Sequence, residues 1–241
     1  MMPLRDHFHR PDARPPNWDE VHGYWPSELI RSLRRTLPRG FRATALIHSA
    51  GRELDLVALE NEAVSAAGGV GTATRPQLAP APSLVTDTDP PDVDEYSLRV
   101  YETTTGERLV ASVEFVSPGN KDRPEKRRMF VAKCVGLLNQ GVCVSMVDVV
   151  TDRRFNLYTD LLDFLGHADP LMTGPPVPHL YAATLRKREV FPRWRLETWA
   201  HQLVVGQPLP DLPIWLTDTL HLTLELEPTY VETCETLQLP E

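Results

Sequence analysis

Apolar and polar positions recur along the chain with a period that changes from segment to segment, and those changes divide it into elements. Leu29, Ile30, Leu33 and Leu37 recur at spacings of three and four with Arg31, Arg34 and Arg35 between them, which predicts a helix with one apolar face. Ser27 opens this helix, and Pro38 and Gly40 end it. Asn17 ahead of Trp18, Asp19 and Glu20 predicts a separate, shorter helical start with an Asn cap. Phe41 to His48 and Glu53 to Leu59 are strand-like and joined through Ser49, Ala50 and Gly51, so they read as a hairpin. Tyr96 to Glu102 and Arg108 to Val116 flank Thr103, Thr104, Thr105 and Gly106 as a second hairpin. Its second strand is apolar on both faces, with Leu109, Val113 and Phe115 on one and Val110 and Val116 on the other. Such a strand belongs at the centre of a sheet.

Ser117, Pro118, Gly119 and Asn120 break that strand. A basic amphipathic helix follows from about Pro124 to Leu138, turning Phe130, Val131, Cys134 and Leu138 inward, with Gly141 just past its end. Val142 to Val149 is a further buried strand, expected parallel to the strand before the helix because the path between them is a crossover. Asn156 to Leu165 predicts a short helix, Tyr181 to Val190 with Trp194 to Trp199 a third hairpin, and Thr229 to Leu237 a terminal helix. Asn61 to Pro91, rich in Ala, Gly, Thr and Pro, reads as an extended loop. The expected organisation is a single α/β domain with a core over about 27–150, a loop insertion over about 61–91 and a C-terminal extension over about 151–241.

Charge and composition narrow the partners. With 33 acidic and 25 basic residues and a formal charge of −8, the overall field opposes a protein that coats nucleic acid. The local basic run from Lys121 to Lys133 is where nucleic acid would be met. The longest uncharged apolar stretch, Gly141 to Val147, falls far short of the roughly 20 residues of a membrane helix, and Met1 to Arg14 has no secretory apolar run. A cytoplasmic location without membrane contact is expected. Cys134, Cys143 and Cys234 show no CxxC or Cys/His spacing and read as thiols. An assembly of identical chains is compatible with all of this.

Glu114 asks for chemistry, because Val113, Phe115 and Val116 surround it on a strand covered on both sides. A buried carboxylate needs a cation or strong donors, or it takes up a proton. The structural reading is a salt bridge to Lys121 or Lys126; the functional reading is a divalent metal ligand. A hard cation such as Mg2+ then needs a second acid. Asp55, inside the apolar strand of Leu54, Leu56, Val57 and Leu59, is preferred to Glu95, which sits in a solvated acidic run from Asp92. Glu28 faces the same point if the first helix turns that way, although a first-turn Glu serves the helix dipole. Asp148 reads as a cap for the turn after its strand. His7, His9 and His22 lack the regular spacing of a metal site. Tyr101, Trp194, Trp199 and Trp215 read as core, not as a base-stacking platform alternating with basic residues.

Glu114, Phe115, Val116, Ser117, Pro118, Gly119, Asn120 and Lys121 resemble the EVLSPxNK signature of a bacterial family known as domain of unknown function 4058. Pro3 to His7, Trp18 to His22 and the strand holding Asp55 agree in order, so the resemblance runs over nearly the whole chain. Around the same element the chain is also similar to Uma-type proteins, assigned to the PD-(D/E)xK nuclease fold. There a Glu ends a strand before a Ser and a turn, and a helix then brings an Asp and a Lys; Glu114, Ser117, Asp122 and Lys126 fall in that order. The resemblance implies an α/β, restriction-endonuclease-like core of helix, mixed β-sheet, helix and strand, with C-terminal hairpin and helix additions. It also implies Mg2+-dependent phosphodiester hydrolysis, with Asp55 and Glu114 as metal ligands. Val116 occupies the usual place of the motif lysine, so the positive charge would move to Lys126 or Lys121. Arg123, Arg127 and Arg128 would follow a nucleic-acid backbone, or else form a solvated face. The alternative to catalysis is a binding or scaffold module that keeps the fold, with Glu114 and Lys126 as an ion pair.

Overall fold

The computed structural model describes residues 4–9, 18–49, 52–54 and 95–239. Asp55, the rest of the strand expected to Leu59 and the Asn61 to Pro91 loop lie outside the described residues.

Seven strands form one sheet in the order β2-β1-β3-β4-β5-β6-β7. They are β1 (Phe41–Ser49), β2 (Arg52–Leu54), β3 (Glu95–Glu102), β4 (Arg108–Phe115), β5 (Cys143–Asp148), β6 (Tyr181–Val190) and β7 (Arg193–Gln202). Every neighbouring pair is antiparallel except β4 and β5. Between those two the chain passes through α2 (Pro118–Asp122) and α3 (Pro124–Asn139), the kind of crossover a parallel pair requires. A second, two-stranded sheet, β8 (Asp211–Trp215) with β9 (His221–Glu225), precedes α5 (Leu226–Thr236). Helix α4 (Leu157–Phe164) is capped by Asn156, whose Oδ1 accepts from the Thr159 N–H at 3.0 Å. No described helix is long and apolar enough to cross a membrane.

Helix α1 (Trp18–Thr36) is continuous, so the two separate starts expected at Asn17 and Ser27 are one element with Pro26 inside it. Trp18, Val21, Trp25, Leu29 and Leu33 form one buried stripe along its length. Burial of that stripe outweighs the roughly 3 kcal/mol a proline costs inside a helix.

Two cores result. Helices α1 and α5 with β8 and β9 cover one face of the large sheet, where Trp25, Leu29, Val113, Phe115, Leu224 and Tyr230 meet. Helices α3 and α4 cover the other, with Phe130, Cys134, Met146, Tyr158 and Tyr181. Strand β4 is buried on both sides, as its composition predicts. Val100 lies opposite Ala111 and Tyr101 opposite Leu109, so Val110 is an extra residue. This bulge places Val110 in the α1 core with Val113 and Phe115, and not on the opposite face as strict alternation predicts.

The aromatic residues expected in the core divide differently. Tyr101, Trp199 and Trp215 are half-buried, and Trp194 is 61 % exposed. Strand β7 is the sheet edge, so its outer end has no neighbour besides β6.

Candidate functional site

The corner after β4 is built by its own side chains. The Asn120 N–H donates to Ser117 Oγ at 3.3 Å, and the Ser117 N–H donates to Asn120 Oδ1 at 2.9 Å, a reciprocal cap on α2. Ser117→Ala is therefore expected to cost about 1 kcal/mol, seen as a lower urea midpoint at unchanged slope.

One residue later, α2 turns Lys121 into the interior. Its side chain is fully buried, as is that of Asp148 at the end of β5, with Nζ 3.0 Å from Oδ1 and 2.8 Å from Oδ2. The hydrogen-bond geometry is satisfied to Oδ1, and Nζ also donates to the His179 carbonyl at 3.1 Å. Asp148 Oδ1 accepts the Val150 N–H at 3.1 Å, so the expected turn cap is present beside an ion pair that its position in the chain does not reveal. Burial pushes the Asp148 carboxyl up to about 7, against the pull of Lys121. Ser117, Asn120 and Lys121 thus serve to hold the corner between β4 and α3 and to tie it to β5.

Glu114 lies on the α3 side of β4, in register with Ser97 of β3 and Met146 of β5. It is 1 % exposed. Ser112 Oγ donates to Oε1 at 2.5 Å, and Lys133 Nζ donates to Oε2 at 2.8 Å. The cation on Glu114 is therefore Lys133, where Lys121 or Lys126 was expected. Lys121 leaves α2 beyond the end of β4 and is committed to Asp148. Lys133 stands about two helical turns past Lys126, which brings it back over the strand. Lys126 is half-buried on the first half of α3. Beside the pair, Ser97 Oγ and Arg99 Nε are buried with no hydrogen-bond partner among the described residues. Ser97, Arg99, Ser112, Glu114 and Lys133 together make a polar strip on the α3 side of β3 and β4.

Among the acids with described side chains, Glu28 does not converge there. Asp55 lies outside the described residues. Glu95 opens β3 opposite His48, so its backbone belongs to a strand and not to an acidic loop. Glu28 sits well inside α1, not in a first turn, and on the opposite face of the sheet from Glu114. It pairs with Arg31 at 2.6 Å, which also reaches Glu232 at 2.9 Å.

The histidines are dispersed as well. His7 Nε2 is 2.7 Å from Tyr230 Oη, and His9 pairs with Asp6 at 3.1 Å. His22 stacks on Trp18, and burial lowers its pKa to about 3 against a hydrogen bond to the Phe115 backbone. Among the described residues, no group of three or more His, Cys, Asp or Glu side chains could hold a metal ion.

The basic face of α3 borders a cleft of 550 Å³ between α3 and α4. Arg127 and Arg128 line it together with Val131, Phe164, Asp160 and Asp163. The Arg127 guanidinium lies 3.6 Å over the Phe155 ring, and Arg123 is exposed beside Asp122 at 3.5 Å. Acidic side chains on the α4 wall set this cleft against a continuous phosphate track. No family model matches the chain, and no curated protein or solved structure matches it significantly.

Proposed function

We propose that the protein is a binding module on a restriction-endonuclease-like core, in which Glu114 is half of a structural ion pair and not a metal ligand. The core reading is supported by the path α1, β1, β3, β4, α3, β5: a helix, three antiparallel strands, a crossover helix and a parallel strand. That is the order the resemblance to the PD-(D/E)xK nucleases implies.

One observation carries the preference for binding over hydrolysis. Both carboxylate oxygens of Glu114 are engaged, by Ser112 and by the Lys133 ammonium, in a residue sealed from solvent. A hard cation would have to displace that ammonium, so the described side chains do not fit a Mg2+ site. Calorimetric titration of the full chain with Mg2+ or Mn2+ is expected to show no binding, and Asp55→Ala and Glu114→Gln are expected to change nothing. Incubation with single- and double-stranded DNA and RNA in Mg2+ is expected to leave every substrate intact. Metal binding that disappears in both variants would overturn the reading.

A second reading, a metal-dependent phosphodiesterase, is favoured by Ser97 and Arg99. Buried donors without described partners, on the same strip as an acid and an ammonium, suit the handling of an anionic group. In that case Lys133 takes the place expected of Lys126 or Lys121, and Asp55 supplies the second carboxylate. Mg2+-dependent cleavage abolished by Glu114→Gln would establish it.

A further inference from the structure

We propose that the cavity between the segment Leu4 to His9 and the loops after β5 and β7 binds a small organic anion, with Arg154 and His179 holding its carboxylate or phosphate head and Val177, Val204 and Val205 covering its apolar body. The cavity shares no lining residue with the Glu114–Lys133 pair, so the proposal goes beyond both readings of that pair.

Four stretches of chain build it. Strand β5 ends at Asp148 and the chain turns through Thr151 to Arg154, while Val177 to Leu180 lead into β6 and Leu203 to Val205 leave β7. The fourth is Leu4 to His9, held at its start by two backbone hydrogen bonds. The Leu4 N–H donates to the Gln207 carbonyl at 2.9 Å, and the Gly206 N–H donates to the Leu4 carbonyl at 2.8 Å. Thr151 Oγ1 donates to Asp6 Oδ1 at 2.5 Å, which ties the same segment to the loop after β5. Leu180 and Leu203 are buried, and the Leu203 N–H donates to the Leu180 carbonyl at 3.0 Å. The space left between these stretches is 440 Å³, within the roughly 300–1,000 Å³ of small-molecule sites. An inorganic ion would fill only a fraction of it.

The charge left over in the cavity is positive. Among the described residues, Asp6 is the acid that lines it, and that carboxylate is spent. Besides Thr151, its Oδ1 accepts the Phe8 and His9 N–H groups at 2.9 and 3.0 Å, and its Oδ2 lies 3.1 Å from His9 Nδ1. A carboxylate only accepts, so Nδ1 carries the hydrogen and Nε2 is the nitrogen of His9 left for a further proton. Arg153 is taken by Asp152 at 2.9 Å, whereas the exposed Arg154 makes no ion pair or hydrogen bond among the described residues. His179 is half-buried, and its carbonyl accepts from Lys121 Nζ at 3.1 Å. Burial, then the charges of Lys121 and Arg154, hold its ring below the ordinary histidine value. Asp148 is committed to Lys121, and Asp6 to Thr151 and His9. An anion is what Arg154 and His179 lack.

The remaining wall is apolar and open. Val177, Val204 and Val205 are 47, 50 and 43 % exposed, three branched aliphatic side chains gathered on one concavity. Covering them removes apolar surface from water. A ligand charged at one end and hydrocarbon at the other satisfies both walls. A bare ion leaves the valines wet, and a neutral apolar molecule leaves Arg154 and His179 uncompensated.

The test is calorimetric titration of the full chain with phenyl phosphate, hexanoate and inorganic phosphate, in a buffer free of divalent ions and of other phosphates or carboxylates. Saturable binding of phenyl phosphate or hexanoate is expected, about tenfold tighter than inorganic phosphate through a few buried CH2 groups. It should be tighter at pH 6 than at pH 8, because protons gained by His179 and His9, and by Asp148 beside Lys121, each make the cavity more positive. Arg154→Gln should weaken binding about tenfold. Val204→Ser/Val205→Ser should weaken the organic anions and leave inorganic phosphate unchanged. Thermal unfolding of both variants should match the parent, since the altered side chains are exposed. The His179 ring, followed by NMR, should titrate at higher pH with ligand bound. No saturable binding of either organic anion would overturn the proposal, as would binding that ignores Arg154→Gln or a His179 titration that ligand does not move. Inorganic phosphate binding as tightly as phenyl phosphate would mean an ion site only and would overturn it too. Without divalent ions or nucleic acid, these outcomes concern this cavity alone; the reading of Glu114 falls separately, on Mg2+-dependent cleavage.

Discussion

Lys121→Met is expected to lower the free energy of unfolding by about 3–5 kcal/mol at pH 8, the cost of removing one partner from a buried ion pair. Asp148 would keep only the Val150 N–H, in a side chain with no solvent exposure. The effect should vary with pH in a definite direction. Burial holds the Asp148 carboxyl at about 7 in the folded chain against an ordinary 3.8, so between those values the folded state binds the extra proton. Stability from that proton is fully present below the unfolded value and is lost as pH rises through the folded one. With the ammonium gone the folded value climbs further, so the deficit of Lys121→Met should be larger at pH 8 than at pH 5. The double variant Lys121→Met/Asp148→Leu should recover most of the loss, because an apolar pair of similar volume carries no stranded charge. Urea unfolding at both pH values decides it. A single-variant deficit below about 1 kcal/mol at pH 8 would mean that Asp148 is not sealed as the structure shows.

Lys133→Met should cost about 2–3 kcal/mol. The lower figure reflects the position of Lys133, whose side chain is 22 % exposed against 2 % for Glu114, so water can follow the missing ammonium part of the way. The same variant separates the two functional readings. If Glu114 and Lys133 are structural, neither the parent nor a folded preparation of the variant cleaves DNA or RNA in Mg2+. If they handle phosphate, Mg2+-dependent cleavage by the parent disappears in the variant.

Much of the architecture is legible in local pattern. The hairpin of β3 and β4, the crossover helix α3 and the buried strand β5 follow from short-range periodicity with turn residues at their ends. The same signal was present for β8 and β9, where Leu212 and Ile214, and Leu222 and Leu224, alternate with exposed or half-buried neighbours. Pro213 and the brevity of each strand hide it. Continuity of α1 through Pro26 was hidden for the opposite reason, since a local breaker is overruled by packing along the whole stripe.

The candidate site was legible only in part. The chain by itself determined that Glu114 is buried on a two-faced strand and must be compensated, because its neighbours on both sides are apolar. It also determined that Ser117 to Asn120 end that strand, while the reciprocal cap on α2 came from the structure. Which cation reaches which acid was decided by tertiary structure: Lys133 for Glu114, Lys121 for Asp148. Those pairings depend on where a helix returns over the sheet, a distance in space that residue spacing does not encode. The exposure of Trp194 was settled in the same way, because an apolar residue on a strand is buried only where another element covers it, and the outer end of β6 and β7 extends beyond its neighbours.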